Sequence, residues 1–139
     1  MSFSQIWIHS VWATKNRYPF LTKDIRIKLF EKFREIAKDK SYFLDTTGGI
    51  DDHVHIIFSM RPNQIISNII KDFKGISSKW INDNNITEEY FEWQEGFSAF
   101  SISPWNVELI RNYIKNQEQH HKNQGFDDEL KRLNKSEII

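Results

Sequence analysis

Apolar positions change their period several times along the chain, and each change marks an element. From Gln5 to Ala13 the residues are mostly β-branched and aromatic, and Lys15-Asn16-Arg17-Tyr18-Pro19 then breaks the run, which predicts a first strand. Ile25, Leu29, Phe33 and Ile36 recur every three or four positions with Lys and Glu between them, so a helix capped by Thr22 is expected to continue to Lys40. Ser41 to Thr47 reads as a second strand, Gly48-Gly49 with Asp51-Asp52 as turn chemistry, and His53 to Met60 as a third strand closing a hairpin. Beyond Arg61-Pro62-Asn63, the spacing of Ile65, Ile69, Phe73, Ile76 and Trp80 predicts a second amphipathic helix, closed by Asn82-Asp83-Asn84-Asn85. Aromatic residues from Tyr90 to Phe100, interrupted at Gly96, suggest one or two further strands. Ser103-Pro104 is suited to start a third helix, whose buried stripe is Val107, Ile110 and Ile114.

The order β-α-β-β-α-β-α predicts an α+β fold: a ferredoxin-like, split βαβ antiparallel sheet with an added C-terminal helix. At 139 residues the chain holds one core, so a single domain over 1–139 is expected, with about 126–139 a tail or short helix. The 14% aromatic content argues for a packed core over disorder. The absence of cysteine excludes disulfides and thiolate metal sites, so any metal must be held by His, carboxylate, amide or water, and it suits the expected cytoplasmic location. The first apolar stretch is broken by His9 and Ser10 and is too short for a signal peptide or span, so no membrane association is expected. With 19 basic and 19 acidic residues the net charge is zero, which counts against coating nucleic acid by bulk charge. Any such contact must come from local patches: Lys71, Lys74 and Lys79 on the second helix, and Arg111, Lys115 and Lys122 on the third.

Two clusters carry candidate chemistry. In His53-Val54-His55, on the third strand, residues two apart share a face, so both imidazoles can reach one ion. An H-x-H triplet alone is about as often two structural histidines at a strand entrance. From Lys115 to Gln124 no apolar residue appears, so that part of the third helix has nothing to bury. Tyr113 and Gln117, four apart, stack on one helical face at the edge of the buried stripe. A tyrosine so placed is by itself more often a half-buried structural residue.

Taken together, His53-Val54-His55 after Asp51-Asp52, Trp93-Gln94-Glu95-Gly96-Phe97, and Tyr113-Ile114-Lys115-Asn116-Gln117 resemble the HUH-type, single-tyrosine insertion-sequence transposases, the IS200-like TnpA family. The resemblance runs from Gln5 to His121. It implies a helix carrying a catalytic tyrosine, Tyr113, which attacks a phosphodiester of single-stranded DNA at an element end. That attack gives a 5′-phosphotyrosine and a free 3′-hydroxyl, and the step is later reversed to rejoin strands. It also implies a divalent ion, Mg²⁺ or Mn²⁺, on His53, His55 and Gln117, with His121, one helical turn beyond Gln117, able to replace or join it. The partners implied are DNA with hairpin ends and a second copy of the chain, in a homodimer whose sites are composite. Two other readings remain: a ferredoxin-like module that binds nucleic acid without cutting it, Phe58 and the Trp residues stacking bases, and a metal sensor using only His53 and His55.

Overall fold

A computed structural model describes residues 3–117. The elements are β1 (Ile6–Ala13), α1 (Lys23–Lys40), β2 (Phe43–Ile50), β3 (His53–Met60), α2 (Ile66–Asp83), β4 (Ser98–Ile102) and α3 (Val107–Lys115), with single 3-10 turns at Lys15–Arg17 and Pro104–Asn106. The strands form one sheet in the order β2-β3-β1-β4, every neighbouring pair antiparallel. Each βαβ unit leaves a gap that a strand of the other unit fills, which is the split βαβ arrangement expected. No helix among the described residues is long and apolar enough to cross a membrane.

Alternation on the two central strands gives the sheet two unlike faces. Ile8, Trp12, Val54, Ile56 and Phe58 point toward α1 and α2 and pack with Leu29, Phe33, Ile69 and Phe73. Val11 and Ile57 point the other way, into a smaller cluster with Ile102 from β4 and Ile110, Tyr113 and Ile114 from α3. The predicted boundaries of α1 and β3 are reproduced. α1 ends with Ser41 in the left-handed conformation (φ 60°), its N–H donating to the carbonyls of Ala37 and Lys38.

Two local readings change, and of the one or two strands expected after Tyr90 one forms. Gly48 and Gly49 lie inside β2, which continues to Ile50, and Asp51-Asp52 alone makes the turn. Gly48 meets a close approach instead of a turn: a Cβ there would collide with Cγ2 of Ile114 and lie 2.7 Å from the Ile114 carbonyl oxygen. Between Tyr90 and Phe100 only β4 forms at the end, while Trp93 makes a single bridge to Thr14. The segment is tied instead by Asn82, whose amide donates to Phe91 O (2.9 Å) and accepts from Phe91 N–H (2.8 Å). Finally, Ser103-Pro104 opens the 3-10 turn, and α3 proper begins at Val107. The expected tail, together with His121 and Lys122, lies outside the described residues.

If Gly48 is there to let α3 approach β2, Gly48→Val should destabilise the protein by about 1–3 kcal/mol through overpacking. Gly75→Ala is the control, because its added Cβ meets nothing within 4 Å on helix α2. It should be neutral or stabilise by about 0.5–1 kcal/mol. Chemical denaturation of the two variants beside wild type measures both, and equal effects would show that the seat of α3 does not depend on Gly48.

Candidate active site

The face of the sheet under α3 carries the histidines. His53 and His55 alternate with Val54 and Ile56 on β3, so while the aliphatic pair enters the α1/α2 core both imidazoles turn toward α3, fully buried. Their ring centroids are 5.2 Å apart at 64°. In each ring Nδ1 has a hydrogen-bonding partner. His53 Nδ1 lies 2.8 Å from an Asp52 carboxylate oxygen. His55 Nδ1 lies 2.8 Å from Nε2 of His9 on β1. Asp52 is itself fixed by its carbonyl, which accepts hydrogen bonds from the Thr14 N–H (2.9 Å) and hydroxyl (3.2 Å). The remaining ring nitrogens, Nε2 of His53 and His55, are buried. Histidines that hold metals are commonly oriented this way, one nitrogen on the ion and the other on a carboxylate or similar group.

α3 is seated over this face by two contacts with β2. One is the Gly48–Ile114 approach, and Gly48 pairs directly with His55 across the β2–β3 ladder. The other follows from a register shift between Leu44 and Thr46, where Asp45 falls out of the ladder and accepts a two-pronged hydrogen bond from Arg111: Nε to Oδ2 at 3.0 Å and Nη2 to Oδ1 at 2.9 Å. Burial pushes the Asp45 carboxyl up, but the hydrogen bonds from Arg111 and Thr46 and the guanidinium charge outweigh it and hold it below the ordinary range. So seated, α3 brings Tyr113 against His55, ring centroids 5.9 Å apart, with only 6% of the tyrosine exposed. Gln117, just past the helix end, is 2% exposed, and its Nε2 donates to the Tyr113 carbonyl at 3.3 Å. Its Oε1 is buried and accepts no hydrogen bond from the described residues. A buried amide oxygen without a donor is costly unless something else coordinates it.

Among the described residues no three imidazole or carboxylate side chains converge as a metal cluster. By donor chemistry the two imidazoles and the amide oxygen of Gln117 would suit a divalent ion, and the buried Gln117 Oε1, which accepts no hydrogen bond among the described residues, favours that set. Three neutral donors would leave most of the ion's charge, and its open positions, for a phosphate. His121 lies outside the described residues.

The cations expected to meet DNA are placed differently from one another. Lys74 donates to the carbonyls of Gln94 and Gly96, both at 2.8 Å, and burial lowers its pKa against the opposing charge of Glu95. Lys79 pairs with Asp83 (2.8 Å) and Arg111 with Asp45. Lys71 and Lys115 are exposed. Lys71 and Lys74 line one side of a surface hollow of about 330 Å³ that Phe97 borders. Sequence reasoning missed His9, Asp52 and Asp45. His9 looks there like an interruption of an apolar run, and only the β1–β3 register puts it beside His55.

The same sheet and helix arrangement occurs in solved transposases. A protein assigned as a transposase from Deinococcus radiodurans superposes with a TM-score of 0.68 at 23% identity, covering 84% of this chain and 93% of that one. A REP-associated tyrosine transposase bound to a REP hairpin gives a TM-score of 0.63 at 16% identity, over 87% of this chain and 74% of that one. The fold is therefore that of the small transposases. The chain belongs to the IS200-like transposases, since the family model described as "Transposase IS200 like" matches residues 2–117. Among curated proteins, the ISDra2 transposase TnpA of Deinococcus radiodurans is 25% identical over 118 residues, 81% of this chain and 84% of its relative. Membership implies a DNA-cleaving and strand-transferring enzyme.

The Asp45–Arg111 pair makes a pH-dependent prediction. Because the folded-state pKa of Asp45 is depressed, its stabilisation is fully present above the ordinary value of 3.8 and is lost as pH falls through the folded value. Asp45→Asn should cost about 1 kcal/mol at pH 7, a figure kept small because the Arg111 side chain is a third exposed. Denaturation of wild type and variant from pH 7 down to pH 2 should show the gap constant above about pH 4 and closing below it. A gap that widened on acidification would contradict the pairing.

Proposed function

We propose that this chain cleaves and rejoins single-stranded DNA at insertion-element ends through a 5′-phosphotyrosine formed on Tyr113. What carries the reading is the packing of Tyr113 against His55 on one face of the sheet, with His53 next to His55 and the buried Gln117 held on the Tyr113 carbonyl. The Tyr113 hydroxyl attacks the phosphorus, its proton being lost as the new bond forms. The bond to the 3′ oxygen breaks, and that oxygen takes a proton to leave as a 3′-hydroxyl. One phosphodiester replaces another, so the step runs in reverse to rejoin strands without a high-energy cofactor. His53, His55 and Gln117 would hold a divalent ion, Mg²⁺ or Mn²⁺. When bound, it would polarise the scissile phosphate and stabilise charge developing on its oxygens. Asp52 orients His53, and the Asp45–Arg111 clamp and Gly48 keep the tyrosine helix against the sheet.

DNA with hairpin ends is the proposed substrate. The hairpin in the REP-associated transposase supports this, as do Lys71 and Lys115, whose exposed ammonium groups can meet phosphates. A homodimer is proposed because a chain this small has limited surface for both holding a hairpin and cutting beside it. The cytoplasm, where the DNA is, is the proposed compartment. One observation favours a second reading, a module that binds DNA without cutting: Tyr113 is 6% exposed and belongs to the α3 core cluster, as a structural tyrosine would.

The two readings separate on variants. Tyr113→Phe should bind hairpin DNA about as well as wild type yet form no covalent adduct, whereas His53→Ala or His55→Ala should abolish Mg²⁺-dependent cleavage with the fold nearly intact. Cleavage and adduct formation are read on denaturing gels with labelled hairpin DNA. An adduct persisting in Tyr113→Phe, or undiminished cleavage in the histidine variants, would refute the corresponding role. If sites are shared across a dimer, mixing Tyr113→Phe with His53→Ala protein restores cleavage. A mixture that stays inactive after verified subunit exchange means that each site is built within one chain.

A further inference from the structure

His9 takes no part in the chemistry proposed above, yet it is 1% exposed and shares a 2.8 Å hydrogen bond with a proposed metal ligand. Its ring lies nearly parallel to that of His55, at 21° with centroids 5.1 Å apart, and Phe100 of β4 packs 5.9 Å away on it. The β1–β3 register explains the geometry. His55 pairs with Val11 and His9 with Ile57, so His9 stands diagonally from His55 on the same face of the sheet.

Two imidazoles sharing one hydrogen bond cannot both donate across it, so their tautomers are coupled. With both rings buried, water does not decide which nitrogen carries the proton. If Nδ1 of His55 donates, its Nε2 keeps a lone pair and can ligate a cation. If His9 Nε2 donates instead, Nδ1 of His55 accepts, Nε2 carries the proton, and the ligand position is blocked. His53 has a carboxylate in the equivalent role, since Asp52 can only accept from its Nδ1–H when ionised. The two histidines of the triplet thus rely on different orienting groups.

We propose that His9 is a positioning residue for His55: it accepts the Nδ1–H of His55 and so keeps Nε2 open to a divalent cation. The inference rests on the metal reading above. Its first test needs no variant. In metal-free, full-length protein labelled with ¹⁵N-histidine, NMR should show His55 protonated at Nδ1 and bare at Nε2, and His9 bare at Nε2. A His55 found protonated at Nε2 overturns the proposal. Its second test is Mn²⁺ affinity without DNA, by calorimetry. His9→Phe, which fills the space but accepts nothing, should weaken binding by about 10–100-fold. His9→Gln, whose amide oxygen can still accept, should recover most of that loss, and thermal melting identifies the folded variants. Wild-type affinity in folded His9→Phe overturns the inference alone, as does a folded His9→Gln no better than His9→Phe. Wild-type protein that binds no Mn²⁺ overturns the metal reading and the inference with it.

Discussion

Everything on the α3 side depends on the register between β1 and β3. Val11 opposite His55 and Ala13 opposite His53 fix which side chains face which way, and a slip of one residue would exchange the two faces. Magnitudes explain why the slip does not occur. Ile8, Trp12, Val54, Ile56 and Phe58 are each at most 4% exposed, and burying such a side chain contributes about 1.5–3 kcal/mol. Burying an imidazole is unfavourable by about 1–3 kcal/mol if its polar atoms lack partners. The hydrogen bonds of His53 to Asp52 and of His55 to His9 offset much of that. The apolar set decides the register, and the histidines are carried with it to the other face.

That face is closed by a short helix, and its seat comes from β2. Gly48 removes the Cβ that would hold α3 away, and the Asp45 bulge sends a carboxylate out of the ladder to grip Arg111. Tyr113 consequently serves two demands at once. Its ring belongs to the α3 cluster with Ile110 and Ile114, and its neighbour across the gap is His55. The same packing that places the proposed nucleophile also buries it, so access of DNA to the hydroxyl and the rigidity of α3 are opposed within one residue.

The parts of this arrangement that were legible in the sequence are those set by periodicity. The α1 and α2 stripes and the His53 to Met60 strand announce themselves through spacing alone, as does the shared face of His53 and His55. What was not legible depends on pairing between distant segments. Gly48-Gly49 reads as a turn because glycine usually marks one, and only the position of Ile114 shows that it serves a close approach. His9 in a run of apolar residues carries no signal until β1 is laid beside β3. Arg111, Lys74 and Lys79 look like free cations on helix faces, and their partners, Asp45, the Gln94 and Gly96 carbonyls, and Asp83, are invisible to a reading of net charge.

The central claim is that one particular tyrosine becomes joined to DNA. The chain has four, Tyr18, Tyr42, Tyr90 and Tyr113, so the claim can be decided by location. Wild-type protein incubated with Mg²⁺ and single-stranded hairpin DNA, then digested with nuclease and protease, should give one modified peptide by mass spectrometry. That peptide should contain Tyr113 bearing a nucleotide through its 5′-phosphate. Modification at Tyr18, Tyr42 or Tyr90, or linkage through a 3′-phosphate, would contradict the account.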